Sequence, residues 1–310
     1  MRAFAALGVV LAAAHAAHAK TGIILPLYEY PYGDAALADW DSTIAAVSAH
    51  PNLDFYIIMN DNSGPPYDPN PPNSNRDFAP YLGSLNSHAN VKLIGYIATK
   101  YSGKSISDVT AAVDQYAAWE TGKGWKDDSY DIHISGIFFD EINTAPDQLS
   151  HNLEITRYAK AKFAGLGGPI VLNPGTFVQN GSESLFDVAD AIMDIEACYT
   201  GVPGRIDFNG YACDPSVSGY SAFTPALLDG LGTDQSRVSK SSILVHDFYD
   251  SWSPYQPASE SKLKDYVDAI VSKGVHSFYI AQFGYIGNFT LAPASIGNIA
   301  GMAASAQGLS

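Results

Sequence analysis

A single (β/α)8 TIM-type barrel, an α/β architecture, is the fold class that the sequence predicts, and three observations predict it. Eight short runs are apolar on both faces, as strands covered on two sides must be. Segments with helical periodicity separate them, which is the pattern of parallel βα units. No glycine-rich phosphate loop follows the first run, although an open doubly wound sheet would call for one.

The first predicted strand covers 22–28, and the helix after it carries Leu37, Trp40, Ile44 and Val47 on one face. The second strand, 55–59, leads into a stretch where Pro65, Pro66, Pro69, Pro71 and Pro72 mix with asparagines and Gly64. Its place after a strand puts it on the C-terminal rim, where βα loops build sites. The third strand, 91–97, is followed by Ser105-x-x-Asp108, a capping pattern that opens a helix with Val109, Val113 and Tyr116 inward. The fourth strand is 134–139, and Gly165-Leu166-Gly167-Gly168 stops the helix behind it. Strands at 170–172, 191–195 and 243–245 follow. Ser259 then caps a helix whose stripe is Leu263, Val267, Ile270 and Val271, with Gly274 where a left-handed C-terminal residue is wanted. The eighth strand is 278–281.

Residues 1–19 read as a signal peptide: Arg2 precedes an apolar run over 3–14, and Ala17-His18-Ala19 offers the small-x-small cleavage pattern. The run is short of the roughly 20 apolar residues that cross a bilayer. Residues 20–310 are then one barrel domain, expected to be secreted, extracellular or in a cell wall, with no membrane partner and as a monomer. Cys198 and Cys213, the two cysteines, flank a short loop and are expected to pair in an oxidising compartment. Two sequons, at Asn180 and Asn288, are potential glycosylation acceptors. A formal net charge of -15, or -16 once Arg2 is removed, excludes nucleic acid as an expected partner. The sequence lacks the H-E-x-x-H, G-x-S-x-G, Walker and EF-hand patterns, so no cofactor and no metal is expected.

In such a barrel the informative residues are polar ones that end apolar strands, because strand C-termini converge on one mouth. The fourth run ends in Asp140-Glu141 and the sixth in Glu196. Asp140, Glu196 and Glu141 are therefore the candidate catalytic residues: glycosidic hydrolysis needs one carboxyl to protonate the leaving oxygen and another as nucleophile or base. Crowding should raise one of their pKa values. Strand residues alternate in direction, so Asp140 and Glu141 should not both point at one atom. By the same rule Asp194 should share a face with Glu196 as a supporting acid or a barrel-layer residue. Asn60, Asn173, His246 and Gln282 end other strands, and Tyr28, Tyr96 and Tyr199 lie among the rim aromatics, with Tyr30, Tyr101, Tyr249, Trp252 and Tyr285. Those first seven are the candidate substrate-binding residues, since sugar rings pack their apolar faces on aromatic side chains.

An ordered set of motifs resembles one family. Pro26-Leu27-Tyr28-Glu29-Tyr30-Pro31, Asn60-Asp61-Asn62-Ser63-Gly64-Pro65, Leu93-Ile94-Gly95-Tyr96, Gly136-Ile137-Phe138-Phe139-Asp140-Glu141, Asn173-Pro174-Gly175-Thr176 and Glu196 are similar, in that order, to the spherulin-4-like proteins, glycoside hydrolase family 135. The resemblance implies an endo-acting enzyme on galactosaminogalactan, a fungal exopolysaccharide of walls and biofilms, cutting α-1,4 links to N-acetylgalactosamine. It places the acids at Asp140, Glu141 and Glu196. Asp61, Pro66 and the long proline-rich stretch depart from the family wording. The expectation is Asp140 as nucleophile and Glu196 as general acid/base, with their roles exchangeable, and Glu141 as a supporting or substrate-contacting acid. The rival class is a non-catalytic carbohydrate-binding wall or spore-coat protein on the same barrel.

Overall fold

A computed structural model of the chain describes residues 20–61, 63–65, 76–123, 128–199, 222–252, 254–284 and 287–309. The elements run β1 (Gly22–Leu27), α1 (Asp34–Ala49), β2 (Phe55–Met59), α2 (Phe78–Asn86), β3 (Val91–Ala98), α3 (Ile106–Ala117), β4 (Thr121–Lys123), β5 (Ser129–Asp131) and β6 (Gly136–Asp140). They continue with α4 (Leu149–Lys162), β7 (Ile170–Leu172), α5 (Leu185–Val188), β8 (Ala191–Cys198), α6 (Gln235–Val238), β9 (Ser241–His246), β10 (Tyr249–Trp252), β11 (Tyr255–Pro257), α7 (Glu260–Lys273), β12 (Ser277–Ile280) and α8 (Ile296–Ala306).

Eight strands close into a barrel in the order β1-β12-β9-β8-β7-β6-β3-β2, every neighbouring pair parallel. The fold is the (β/α)8 barrel that the eight apolar runs predict. All six residues of β1 and of β9 are buried, because the barrel interior takes one face and the helical shell the other.

The caps form as their side chains dictate. Ser105 Oγ accepts the Asp108 N–H at 3.1 Å, with Val109, Val113 and Tyr116 fully buried behind it. Ser259 Oγ accepts the Lys262 N–H at 3.2 Å, and Gly274 closes α7 at φ 76°, ψ 38°. Two expected faces are rotated. In α1, Trp40 and Val47 are buried as read, but Asp39, Thr43 and Ala46 go inward while Leu37 and Ile44 are only half-buried. The cause is Asp39, whose carboxylate accepts backbone N–H groups of Asn288 at 2.7 Å and Thr290 at 3.2 Å and turns that face toward the chain after β12. In α7, Tyr266 takes the buried place expected for Val271.

Two hairpins, β4–β5 and β10–β11, lie outside the barrel and were not legible as apolar runs. The β10–β11 hairpin follows β9 directly and so stands on the C-terminal rim. Of the proline-rich segment, residues 66–75 lie outside the described residues; its start is on the rim, where Ser63 O accepts the Ala98 N–H at 3.2 Å.

Candidate active site

The C-terminal ends of β1, β3, β6, β7 and β8 bring five predicted residues into one cluster. Asp140 ends β6 in register with Ala98 of β3. Asn173 follows β7, and its N–H is held by Phe139 O at 2.8 Å, which fixes its side chain beside that of Asp140. Asn173 Nδ2 donates to Asp140 Oδ1 at 2.8 Å and to Glu196 Oε2 at 3.1 Å. One amide thus joins the two acids expected to work as a pair. An amide nitrogen has two hydrogens to give, so it can serve both at once, and the two oxygens cannot stand farther apart than these two bond lengths together.

Asp140 accepts two further hydrogen bonds. The Tyr96 hydroxyl donates to Oδ2, and the Glu141 N–H donates to Oδ1 at 2.8 Å. Burial, and next the charge of Glu196, raise the Asp140 pKa to about 6; the Tyr96 and Glu141 hydrogen bonds act the other way. Tyr28 stands edge-on to Tyr96 with ring centroids 5.4 Å apart. Its phenol is pushed well above its ordinary pKa by burial and then by the charges of Asp140 and its neighbours, so it stays a neutral donor. Asn173, Tyr96, Tyr28, Asp140 and Glu196 are thereby contiguous.

The neighbouring acids do not join the pair. Glu141, just past β6 and at φ 57°, reaches toward the neighbouring turn, where its Oε2 accepts the Lys100 N–H at 3.1 Å. Asp194 breaks the expected pattern. A register shift between Met193 and Ile195 inserts one extra residue opposite β9, so Asp194 bonds Ser241 Oγ at 2.6 Å while Glu196 meets Asn173. Asp194 is therefore not a partner of Glu196 on a shared face.

The remaining expected substrate residues are committed to protein partners. Asn60 Oδ1 accepts the Ser63 N–H at 2.9 Å and shapes its own turn. The Tyr199 hydroxyl donates to Asp250 Oδ1 at 3.0 Å, and its ring packs on Phe248 at 4.6 Å. His246 is fully buried, with Nδ1 2.6 Å from Asp247 Oδ2 and Nε2 3.7 Å from Cys198 Sγ. Gln282, also buried, donates to Phe248 O at 2.8 Å and to the Tyr255 hydroxyl at 2.7 Å, and its oxygen accepts the Ala294 N–H at 3.2 Å. The substrate-contacting role read for His246 and Gln282 is corrected: both end strands, but both are buried, His246 between Cys198 and Asp247 and Gln282 among Phe248, Tyr255 and Ala294, which take up their polar atoms.

Cys198 closes β8 in full burial, whereas its expected partner Cys213 lies outside the described residues, as does Tyr285. Cys198, His246 and Asp247 place ligand-type atoms within 4.8 Å of one another. A sulfur expected in a disulfide is not the thiolate a metal would need.

Two contributors were not singled out from the sequence. Gly175, at φ 67°, carries the chain over Glu196 so closely that a Cβ would sit 3.4 Å from Oε2, and its carbonyl accepts the Glu196 N–H at 3.3 Å. Its signal was present in Asn173-Pro174-Gly175, a turn sequence directly after a strand. Glu29 and Asp39 form a second carboxyl pair, in which burial, then the Asp39 charge and a hydrogen bond with Asp39, raise Glu29 to about 7. Nothing in the local sequence announces it, because the two meet only across the β1–α1 connection.

The family model described as Spherulation-specific family 4 matches residues 22–290. Spherulin-4 of Physarum polycephalum is 27% identical over 226 residues, a stretch that covers 72% of this chain and 58% of that protein. The chain thus spans less than two thirds of that relative's length. Among solved structures, the crystal structure of Aspergillus clavatus Sph3 in complex with GalNAc aligns with a TM-score of 0.68 at 25% identity, covering 92% of this chain and 98% of that one. With its motifs in family order and its barrel closed around them, the chain belongs to spherulation-specific family 4, the spherulin-4-like proteins.

Proposed function

We propose that the protein is a secreted, carbohydrate-processing enzyme: an endo-acting glycoside hydrolase that cleaves α-1,4-linked N-acetylgalactosamine in galactosaminogalactan-type exopolysaccharide. The observation that carries the reading is the Asn173 amide shared by Asp140 and Glu196. Two carboxylates about 5 to 5.5 Å apart suit retention, whereas inversion needs about 6.5 to 9.5 Å to admit a water. The GalNAc held by the Aspergillus clavatus relative supports the sugar class.

In this reading Asp140 is the nucleophile. Three donors aim at its two oxygens, an arrangement that suits a carboxylate rather than a carboxylic acid. Asp140 attacks the anomeric carbon while Glu196 gives its proton to the departing glycosidic oxygen. Glu196 then takes a proton from water, which displaces Asp140 and restores both groups. Asn173 keeps the pair at a fixed spacing through both steps.

The test is reducing-end release from purified galactosaminogalactan by the wild type and by Asp140→Asn and Glu196→Gln. Each variant is expected to lose about 10²–10⁴-fold in rate; wild-type rates in both would overturn the assignment. Binding without any reducing ends from the wild type would favour the non-catalytic carbohydrate-binding protein. Secretion rests on the apolar run over 3–14 and the Ala17-His18-Ala19 site, and an N-terminal sequence beginning near Lys20 in culture medium checks it. The Cys198–Cys213 bridge predicts that the denatured, unreduced protein titrates no thiol.

A further inference from the structure

Four residues beside the acid pair that are not glycine occupy the left-handed backbone region: Lys100 at φ 54°, Tyr101 at 53°, Ser102 at 67° and Glu141 at 57°. L-residues avoid it because Cβ crowds the next carbonyl, and three in succession persist only where the surroundings over-determine them. The surroundings here are a set of clamps. Thr99 Oγ1 donates to the carbonyls of Asp140 at 2.9 Å and Glu141 at 2.8 Å, and Glu141 Oε2 accepts the Lys100 N–H at 3.1 Å. Gly103 N–H reaches Lys100 O at 2.8 Å, Lys104 N–H reaches Thr99 O at 3.0 Å, and Ser102 Oγ donates to Asn152 Oδ1 at 3.0 Å.

The clamped turn presents Tyr101, which is 65% exposed. Since Ala98 is in register with Asp140, the turn stands immediately beside the nucleophile. A phenol ring carried on so fixed a backbone offers a flat face to a pyranose without ordering a loose loop on each binding event.

A matching feature stands across the mouth. Tyr255, 41% exposed, is carried on the β10–β11 hairpin behind β9, four strands around the eight-strand circle from β3. Its hydroxyl is held by Gln282 Nε2 at 2.7 Å, and its ring packs on Phe283 at 5.4 Å. Of the two arcs between β9 and β3, one carries both acids, Asp140 on β6 and Glu196 on β8. A sugar chain laid from one ring to the other over β6 and β8 would cross the acid pair.

We propose that Tyr101 and Tyr255 are the two outer sugar platforms of a polysaccharide cleft across the barrel mouth, and that Glu141 and Gln282 are positioning residues that hold them. The proposal deepens the hydrolase reading and rests on it for the identity of the sugar chain. It gives Glu141 and Gln282 work that direct substrate contact does not require.

The experiment measures binding by calorimetry in a Glu196→Gln background, with galactosaminogalactan fragments of six or more sugars and with free N-acetylgalactosamine. Tyr101→Ala and Tyr255→Ala should each weaken fragment binding by about tenfold more than monosaccharide binding, whereas Tyr101→Trp should restore it. Adding Glu141→Ala should reduce the further cost of Tyr101→Ala, because both act through one turn. Equal losses for fragment and monosaccharide, or strictly additive costs, would overturn the proposal. Should Glu141→Ala fail to fold, the comparison of Ala with Trp at Tyr101 still decides the platform. Reducing-end release by the wild type is read separately, so a failed hydrolase reading and a failed platform give different results.

Discussion

Asn173 is the residue on which the two acids depend, and its chemistry makes a distinguishable prediction. Its amide stabilises charge on both carboxylates, so Asn173→Ala should raise the Asp140 pKa beyond its already elevated value of about 6. A nucleophile must be ionised, so the wild-type kcat/KM should fall as pH drops below about 6. In Asn173→Ala that acidic limb should move to higher pH, with kcat lower by about tenfold; an unmoved limb would remove Asn173 from the site. Asp140, Glu196 and Asn173 were legible in the sequence because each is polar directly after apolar strand residues. His246 and Gln282 satisfied the same rule and proved buried. Which strand-ending polar residue meets the mouth and which meets the next loop depends on chain that a strand's own sequence does not describe.

The barrel strands were legible for a physical reason: each is covered on both faces, so its sequence is apolar throughout. The β4–β5 hairpin has three-residue strands with an exposed, intermediate, exposed pattern in β5, too short for periodicity to mark. The extra residue in β8 is hidden for another reason, since a bulge is a relation between two strands that neither strand's own sequence spells out. Glycines test the strand packing. A Cβ on Gly136 would lie 2.2 Å from the backbone oxygen of Pro169, which has no rotamer to yield. Gly136→Ala should therefore destabilise the fold by roughly 1–3 kcal/mol, read as a lower urea midpoint at unchanged slope. Gly297 in α8 faces open space, so Gly297→Ala should gain roughly 0.5–1 kcal/mol from helix propensity. Equal effects of both would contradict the close approach of β6 and β7.

Across the whole molecule the buried acids set the pH dependence of stability. Asp140 and Asp194 are each raised to about 6 and Glu29 to about 7, all chiefly by burial. A group with a raised folded pKa binds its proton more tightly when folded, so its contribution is complete below the unfolded pKa and is lost as pH rises through the folded one. His276 opposes them. Burial lowers it to about 4, so its contribution is present above its unfolded pKa and lost as pH falls toward 4. Asp114, Glu183 and Asp234 are lowered as well, by hydrogen bonds at the surface that solvent screens. Three acids against one histidine leave the folded state holding the larger number of protons between pH about 4.5 and 6. The melting temperature should accordingly be higher near pH 5 than near pH 7.5, while the proposed nucleophile is most active on the other side of pH 6. Asp194→Asn removes one of the three acids without touching the paired carboxylates, so it should flatten the dependence of melting temperature on pH. A profile that rises steadily from pH 5 to 7.5, or one that Asp194→Asn leaves unchanged, would show that these buried acids do not govern the stability of the barrel.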